Sequence, residues 1–107
     1  MPVTNPTDQD VSMGFLTGVL TVGATITRIR SGSSIPMGNG LTVLADKDNE
    51  GVIYFSPYSD MVIDDSDPDK QGMPLEAGDS FQIQVDNVNK VYFKATEAGQ
   101  KLRYAAE

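Results

Sequence analysis

The sequence predicts an all-β protein, a single small β-sandwich or jelly-roll-like barrel of about seven or eight short antiparallel strands. Two observations carry that expectation. In the closing third, Phe81, Ile83 and Val85 alternate with Gln82 and Gln84, and Val91, Phe93 and Ala95 alternate with Tyr92 and Lys94. This is the period of a strand with one face buried and one face wet. Along the chain, Gly, Pro, Asn and Asp recur at intervals of about 8–12 residues, the turn spacing of a small antiparallel fold. A chain of 107 residues has room for one core, and at that size it buries roughly two thirds of the surface it exposes when unfolded.

Taken in order, residues 1–12 hold Pro2 and Pro6 among Thr, Asn, Gln and Asp. They read as an extended N-terminal arm, because such a composition buries too little apolar surface to order itself. Residues 13–107 read as one β-sandwich domain. Val11, Phe15, Leu16, Val19 and Leu20 have helical spacing, but Gly14, Gly18 and Gly23 with Thr17 and Thr21 would make a poor helix, so strand or irregular structure is expected. Ala24 to Arg30 is rich in β-branched residues and reads as a strand entering a loop that continues through Pro36 to Gly40.

Leu41–Ala45 and Val52–Phe55 read as strands joined into a hairpin by Asp46–Gly51. A short apolar step, Met61–Ile63, and a polar run from Asp64 to Gly72 follow. The closing unit is then turn (Leu75–Asp79), strand (Ser80–Val85), turn (Asp86–Asn89), strand (Lys90–Ala95), turn (Thr96–Gln100) and strand (Lys101–Tyr104).

With Phe81, Ile83, Val85, Val91, Phe93 and Ala95 facing the core, the opposite face carries Gln82, Gln84, Lys90, Tyr92 and Lys94. Lys101 and Arg103 join it when Leu102 and Tyr104 point inward, whereas the acids crowd between Asp46 and Asp86. Such separation of charge fits a docking surface, or a solvated face with cross-strand pairs.

Composition narrows the chemistry. Without cysteine there are no disulfides, thiolate metal sites or cysteine nucleophiles, and without histidine the usual near-neutral proton shuttle is missing. Eight basic against fifteen acidic residues leave a formal charge of −7, which repels phosphate backbones and anionic membranes, so neither nucleic acid nor membrane is an expected partner. No basic segment followed by an apolar run opens the chain, so no secretory leader is expected.

Asp65, Asp67, Asp69 and Glu76 fall at positions 1, 3, 5 and 12 of a calcium-loop template, but Lys70 holds the position where glycine permits the sharp turn. A solvated acidic loop is the expectation, with no metal and no cofactor. Ser31–Ser34 lacks a base and a strand-to-helix elbow, so no enzyme is expected. Tyr54, Tyr58, Tyr92 and Tyr104 leave open a sugar-stacking platform, although Tyr54 and Tyr104 also suit a core with the hydroxyl at its edge.

One stretch is specific enough to suggest a family. Leu75, Gly78, Asp79 and Ser80, then Ile83, Val85, Asp86, Asn87, Asn89, Lys90, Val91 and Tyr92, then Ala98–Lys101, form a pattern that resembles small bacteriophage virion structural proteins. Leu41–Asp46 with Asn49 and Gly51–Tyr54 resembles the central hairpin of the same family. The similarity covers residues 41–107, and residues 1–40 lie outside it.

The resemblance implies a compact β-sandwich of the head decoration or cement type. Such a protein sits on the capsid surface of the virion, is assembled in the bacterial host cytoplasm, and has the major capsid protein and itself, as a homotrimer or homodimer, for partners. The expected interface residues are Pro2, Val3, Thr4, Asn5, Pro6, Val11, Phe15, Lys90, Tyr92, Lys94 and Arg103. The rival expectation is a tail- or fibre-associated adhesion module that binds host glycan or receptor.

Overall fold

A computed structural model describes residues 15–107. Among them seven strands form two antiparallel sheets: β1 (Leu16–Val22), β2 (Leu41–Ala45), β3 (Ile53–Ser56), β4 (Met73–Leu75), β5 (Ser80–Ile83), β6 (Tyr92–Ala95) and β7 (Gln100–Ala106). One sheet has the order β1-β7-β2-β5 and the other β4-β3-β6. The all-β sandwich expected from the sequence is therefore the fold observed.

Alternation explains which residues close the core. Leu41, Val43 and Ala45 point inward from β2, and Leu102, Tyr104 and Ala106 do so from β7, while Thr42, Leu44, Lys101 and Arg103 stay outside. Ile53 and Phe55 of β3 and Phe93 and Ala95 of β6 meet them from the second layer, and Ile29, Ile35, Val88 and Val91 from the connecting segments join the same core. Phe93, Leu102, Ile53 and Leu41 are fully buried, each stabilising the fold by about 1.5–3 kcal/mol through apolar surface removed from water.

Strand connectivity departs from the expected hairpins. Leu41–Ala45 and Ile53–Ser56 are not partners: β2 pairs with β5 and β7, and β3 pairs with β4 and β6. The segment Asp46–Val52 carries the chain from one layer to the other and is pinned as it crosses. The Asn49 side chain donates to the Lys101 carbonyl at 2.9 Å and accepts from the Lys101 N–H at 2.8 Å, and the Gly51 N–H donates to Gln100 Oε1 at 2.8 Å. The chain then crosses three times more, because β4 and β6 lie in the three-stranded sheet and β5 and β7 in the four-stranded one.

Three further expectations are corrected. Ala24–Arg30 is not a strand: only Thr27 bridges β6, exchanging two hydrogen bonds of 2.9 Å with Phe93. The neighbour it runs beside is four residues long, and the chain leaves it to bury Ile29 and then turns through left-handed Arg30 and Ser31 (φ 50° and 57°). Lys90 belongs to a 3-10 turn, Val88–Lys90, so β6 starts two residues late. Phe81 shares the inward face with its register partner Val43 but is 49% exposed, because β5 is an edge strand; its ring packs against Phe55, at 5.2 Å between centroids. Strand β4 was hidden in the sequence by Pro74, which a sheet tolerates at an edge.

The residues that carry the family resemblance do turn chemistry. Asn87 Oδ1 accepts from the N–H groups of Ile35 (3.0 Å) and Asn89 (3.1 Å), and Asn87 Nδ2 donates to Ser34 Oγ at 2.8 Å. Gly78 and Gly99 take positive φ of 87° and 76°, and Asp79 accepts from the Glu76 N–H at 3.0 Å.

Since Ile35 is fully buried, removing its acceptor strands a backbone donor. Asn87→Ala is expected to lower unfolding free energy by about 2–3 kcal/mol in urea denaturation, and Asn87→Asp, which keeps the acceptor, by about half as much. Equal losses would show that the oxygen is not what matters.

Candidate functional site

The two outer faces of the sandwich differ in what covers them. On the three-stranded sheet, Tyr54 lies between inward-facing Ile53 and Phe55 and so points out, where residues 57–72 fold across it. Met61 is 2% exposed yet is no part of the interlayer core. A Cβ on Gly72 would lie 2.6 Å from Met61 Sδ and 2.8 Å from Tyr54 Cβ, an approach that only glycine permits. Two backbone bonds, from the Val62 N–H to Lys70 O (2.9 Å) and from the Gly72 N–H to Val62 O (3.0 Å), fold this cover back on itself, with a Lys70–Asp60 ion pair beside them.

Among the described residues nothing equivalent lies over the four-stranded sheet. Its outward positions are Thr17, Val19 and Thr21 on β1, Lys101, Arg103 and Ala105 on β7, Thr42 and Leu44 on β2, and Ser80 and Gln82 on β5. Register sets Arg103 between Val19 and Leu44, which are 49% and 38% exposed. A shallow depression of about 370 Å³ runs between β1, β7 and β2 along these side chains. Phe15, 69% exposed, stands at the start of β1. Lys101 and Arg103 are the only charges at these outward strand positions, and Arg103 lies 3.8 Å from Asp46 at the end of β2. On a chain of net charge −7, this face is close to neutral and slightly basic.

Among the described residues, the expected interface positions do not share one surface. Pro2, Val3, Thr4, Asn5, Pro6 and Val11 lie outside the described residues. Phe15 immediately precedes β1 and Arg103 lies on β7 of the four-stranded sheet, whereas Tyr92 and Lys94 belong to β6 on the opposite layer and Lys90 to the turn before it. The single basic face is therefore split by the crossovers into two.

On the β6 side two of the three residues are engaged by neighbours. Lys90 pairs with Asp86 at 2.7 Å, and Tyr92 is covered by the Arg28 guanidinium, 5.0 Å from the ring centroid. Val19 and Leu44 were missed as surface residues. Val19 lay in a stretch with helical spacing, and Leu44 stands between Val43 and Ala45, so that an unbroken apolar run hides its outward direction.

A second apolar feature opens between the edges of the two sheets. Phe55, Met73, Ile83, Val85 and Val91 line a groove of about 220 Å³, with Lys90 at its mouth. Tyr58 is 41% exposed, Tyr104 is buried, and Tyr54 and Tyr92 are half-buried on the covered layer, so the four tyrosines form no common platform.

The acidic loop uses its carboxylates to close turns. Asp64 Oδ1 accepts from the Ser66 N–H and Asp67 Oδ1 from the Asp69 N–H, both at 3.0 Å. Among the described residues no three carboxylates gather as a cation would require. The Ser66 hydroxyl and N–H hold the Asp64 carboxyl below the usual carboxylate range, Lys70 does the same for Asp60, and Lys90 for Asp86. Lys70 is raised in turn by Asp60.

Compared with protein-family models, curated proteins and solved structures, the chain matches none of them.

These shifts define a pH window. The three lowered carboxyls contribute stability that is complete above about pH 4 and is lost as pH falls through their folded values, and the raised Lys70 contributes stability that is lost only as pH rises past about 10.4. All four groups lie at the solvated surface, so each effect is small. The urea midpoint is expected to be flat from pH 5 to 9 in respect of these groups and to fall below pH 4. Asp60→Asn should shrink the acid-side drop, and an unchanged drop would show that the pair contributes nothing.

Proposed function

We propose that this protein is a bacteriophage structural protein that decorates and stabilises the assembled head. It binds the major capsid protein through the uncovered face of its four-stranded sheet, together with residues 1–12. The observation that carries this reading is the contrast between layers: one sheet is roofed by its own chain, and the other presents Val19 and Leu44 half-exposed on either side of Arg103. A broad, shallow, weakly charged face with apolar centres suits a protein partner better than a small solute, which is bound in concave pockets that enclose it.

The resemblance of residues 41–107 to phage virion proteins supports the same direction. The scaffold's work is adhesive. Many weak contacts repeated over a shell multiply into firm attachment, and a ligand that bridges only assembled subunits favours assembly by mass action. On this reading the protein acts without a cofactor, performs no catalysis, and is found on the virion surface after assembly in the host cytoplasm.

Mass spectrometry of purified particles tests the location directly. On the order of hundreds of copies per particle are expected for a shell protein, whereas about a dozen or fewer would place it on the tail and favour the adhesion reading. Leu44→Glu puts a charge at the centre of the proposed contact and is expected to reduce occupancy on heads at least about tenfold while the circular-dichroism spectrum and thermal midpoint stay as in the parent. Full occupancy with Leu44→Glu would remove this face from the interface.

A further inference from the structure

The four lateral edges of the two sheets are not equally protected. On the three-stranded sheet, β4 is three residues long and contains Pro74, which has no N–H to donate. Its other edge, β6, is occupied by the chain itself, since Thr27 exchanges hydrogen bonds with Phe93 and the Ala95 N–H donates to Gly23 O at 2.8 Å. On the four-stranded sheet, β5 is four residues long, and the chain bends away after it through a hydrogen bond from the Val85 N–H to Ile83 O. Short strands, prolines and covering segments are the devices by which proteins keep sheet edges from pairing.

Strand β1 has none of them. It runs seven residues, Leu-Thr-Gly-Val-Leu-Thr-Val, without charge, proline or lysine. It pairs with β7 one residue for one from Leu16 to Val22, so no bulge twists it away. Among the described residues no strand lies on its other side.

The geometry points to a second copy of this chain as the occupant: two β1 strands pair antiparallel about a two-fold axis through Val19, joining two four-stranded sheets into one of eight. The occupant follows from what the edge lacks and from symmetry. Set antiparallel to its own copy, β1 matches itself in length and opposes no charges, and a two-fold contact uses the same patch twice.

The register follows from the period of two. The apolar set of each strand must stay on the core face, so paired residue numbers must sum to an even value. Of those registers, the one centred on Val19 pairs all seven residues. It sets Val19 against Val19, Thr17 against Thr21, Leu16 against Val22 and Leu20 against Gly18. Gly18 is where the Tyr104 ring lies, so the partner's Leu20 would cover an aromatic edge that glycine leaves open. Threonine pairs and β-branched pairs are among the favourable cross-strand neighbours, and no like charges are opposed.

This inference concerns the same sheet as the head-decoration reading but does not need the particle. It is tested on free full-length protein, so its failure leaves occupancy on heads to be judged separately by Leu44→Glu. Because the chain has no cysteine, Val19→Cys introduces a single thiol. Only in a register that opposes position 19 to itself do two such residues lie within disulfide reach, with Cα atoms about 4.5–5.5 Å apart.

Sedimentation velocity of the parent is expected to show a dimer, and oxidised Val19→Cys a cross-linked dimer on non-reducing gels, while Thr17→Cys alone does not cross-link. Val19→Lys should give folded monomer with at least about a tenfold weaker dissociation constant, and mixing it with Val19→Glu should restore the dimer, since each variant then faces its opposite charge. A parent that is monomeric or trimeric, a dimer that Val19→Lys leaves intact, or a mixture that fails to recover would overturn the proposal.

Discussion

Each of the two sheets has one apolar face, and neither stays folded unless the other covers it. Leu41, Val43, Leu102 and Ala106 on one side and Ile53, Phe93 and Ala95 on the other are buried only because the layers meet. The chain satisfies that demand by crossing between layers instead of folding into local hairpins, so that β5, β6 and β7 lie in alternate sheets. The turn residues serve the crossings. Asn49 ties the β2–β3 crossing to β7, Asn87 ties the β5–β6 crossing to Ile35 and Ser34, and Gly99 makes the tight bend of the β6–β7 crossing. Contacts built this way join residues far apart in sequence, a topology whose loop entropy is spent before its burial is gained.

That arrangement also decides what the surface offers. The excursion between β3 and β4, residues 57–72, covers the three-stranded sheet and brings Met61 and Gly72 against Tyr54. The four-stranded sheet keeps a bare face whose apolar centres, Val19 and Leu44, flank the aliphatic stem of Arg103. Acidic residues gather in the loops, so the molecule's negative charge surrounds a face that carries almost none of it. A partner approaching that face meets dispersion and apolar burial first and electrostatics at the rim, the usual anatomy of a protein contact.

Edge and face belong to the same sheet, and this links the two proposals physically. A two-fold join at β1 would extend the bare face across both copies without hiding Leu44 or Arg103, which sit inward of the edge on β2 and β7. A doubled face binds a repeating lattice more firmly than a single one, because the second contact forms at the high local concentration set by the first. Rigidity matters here as well, since a sandwich whose interior is fully packed holds its outer side chains in place before binding and loses little entropy when it docks.

Local pattern in the sequence was enough for the class of fold, for the inward set of β6 and β7, and for the turns at Asp86–Asn89 and Thr96–Gln100, because alternation and turn preference act over a few residues. It was enough for neither the partnering of strands nor the sides on which Lys94 and Arg103 emerge. Both depend on whether the chain between two strands turns back or crosses over, and a loop such as Asp46–Val52 has residues compatible with either course. The choice is made by the core as a whole, where burying Ile29, Phe93 and Leu102 together outweighs the hairpin that Leu41–Phe55 would form alone. Which face was left bare, and which edge unguarded, followed from that choice.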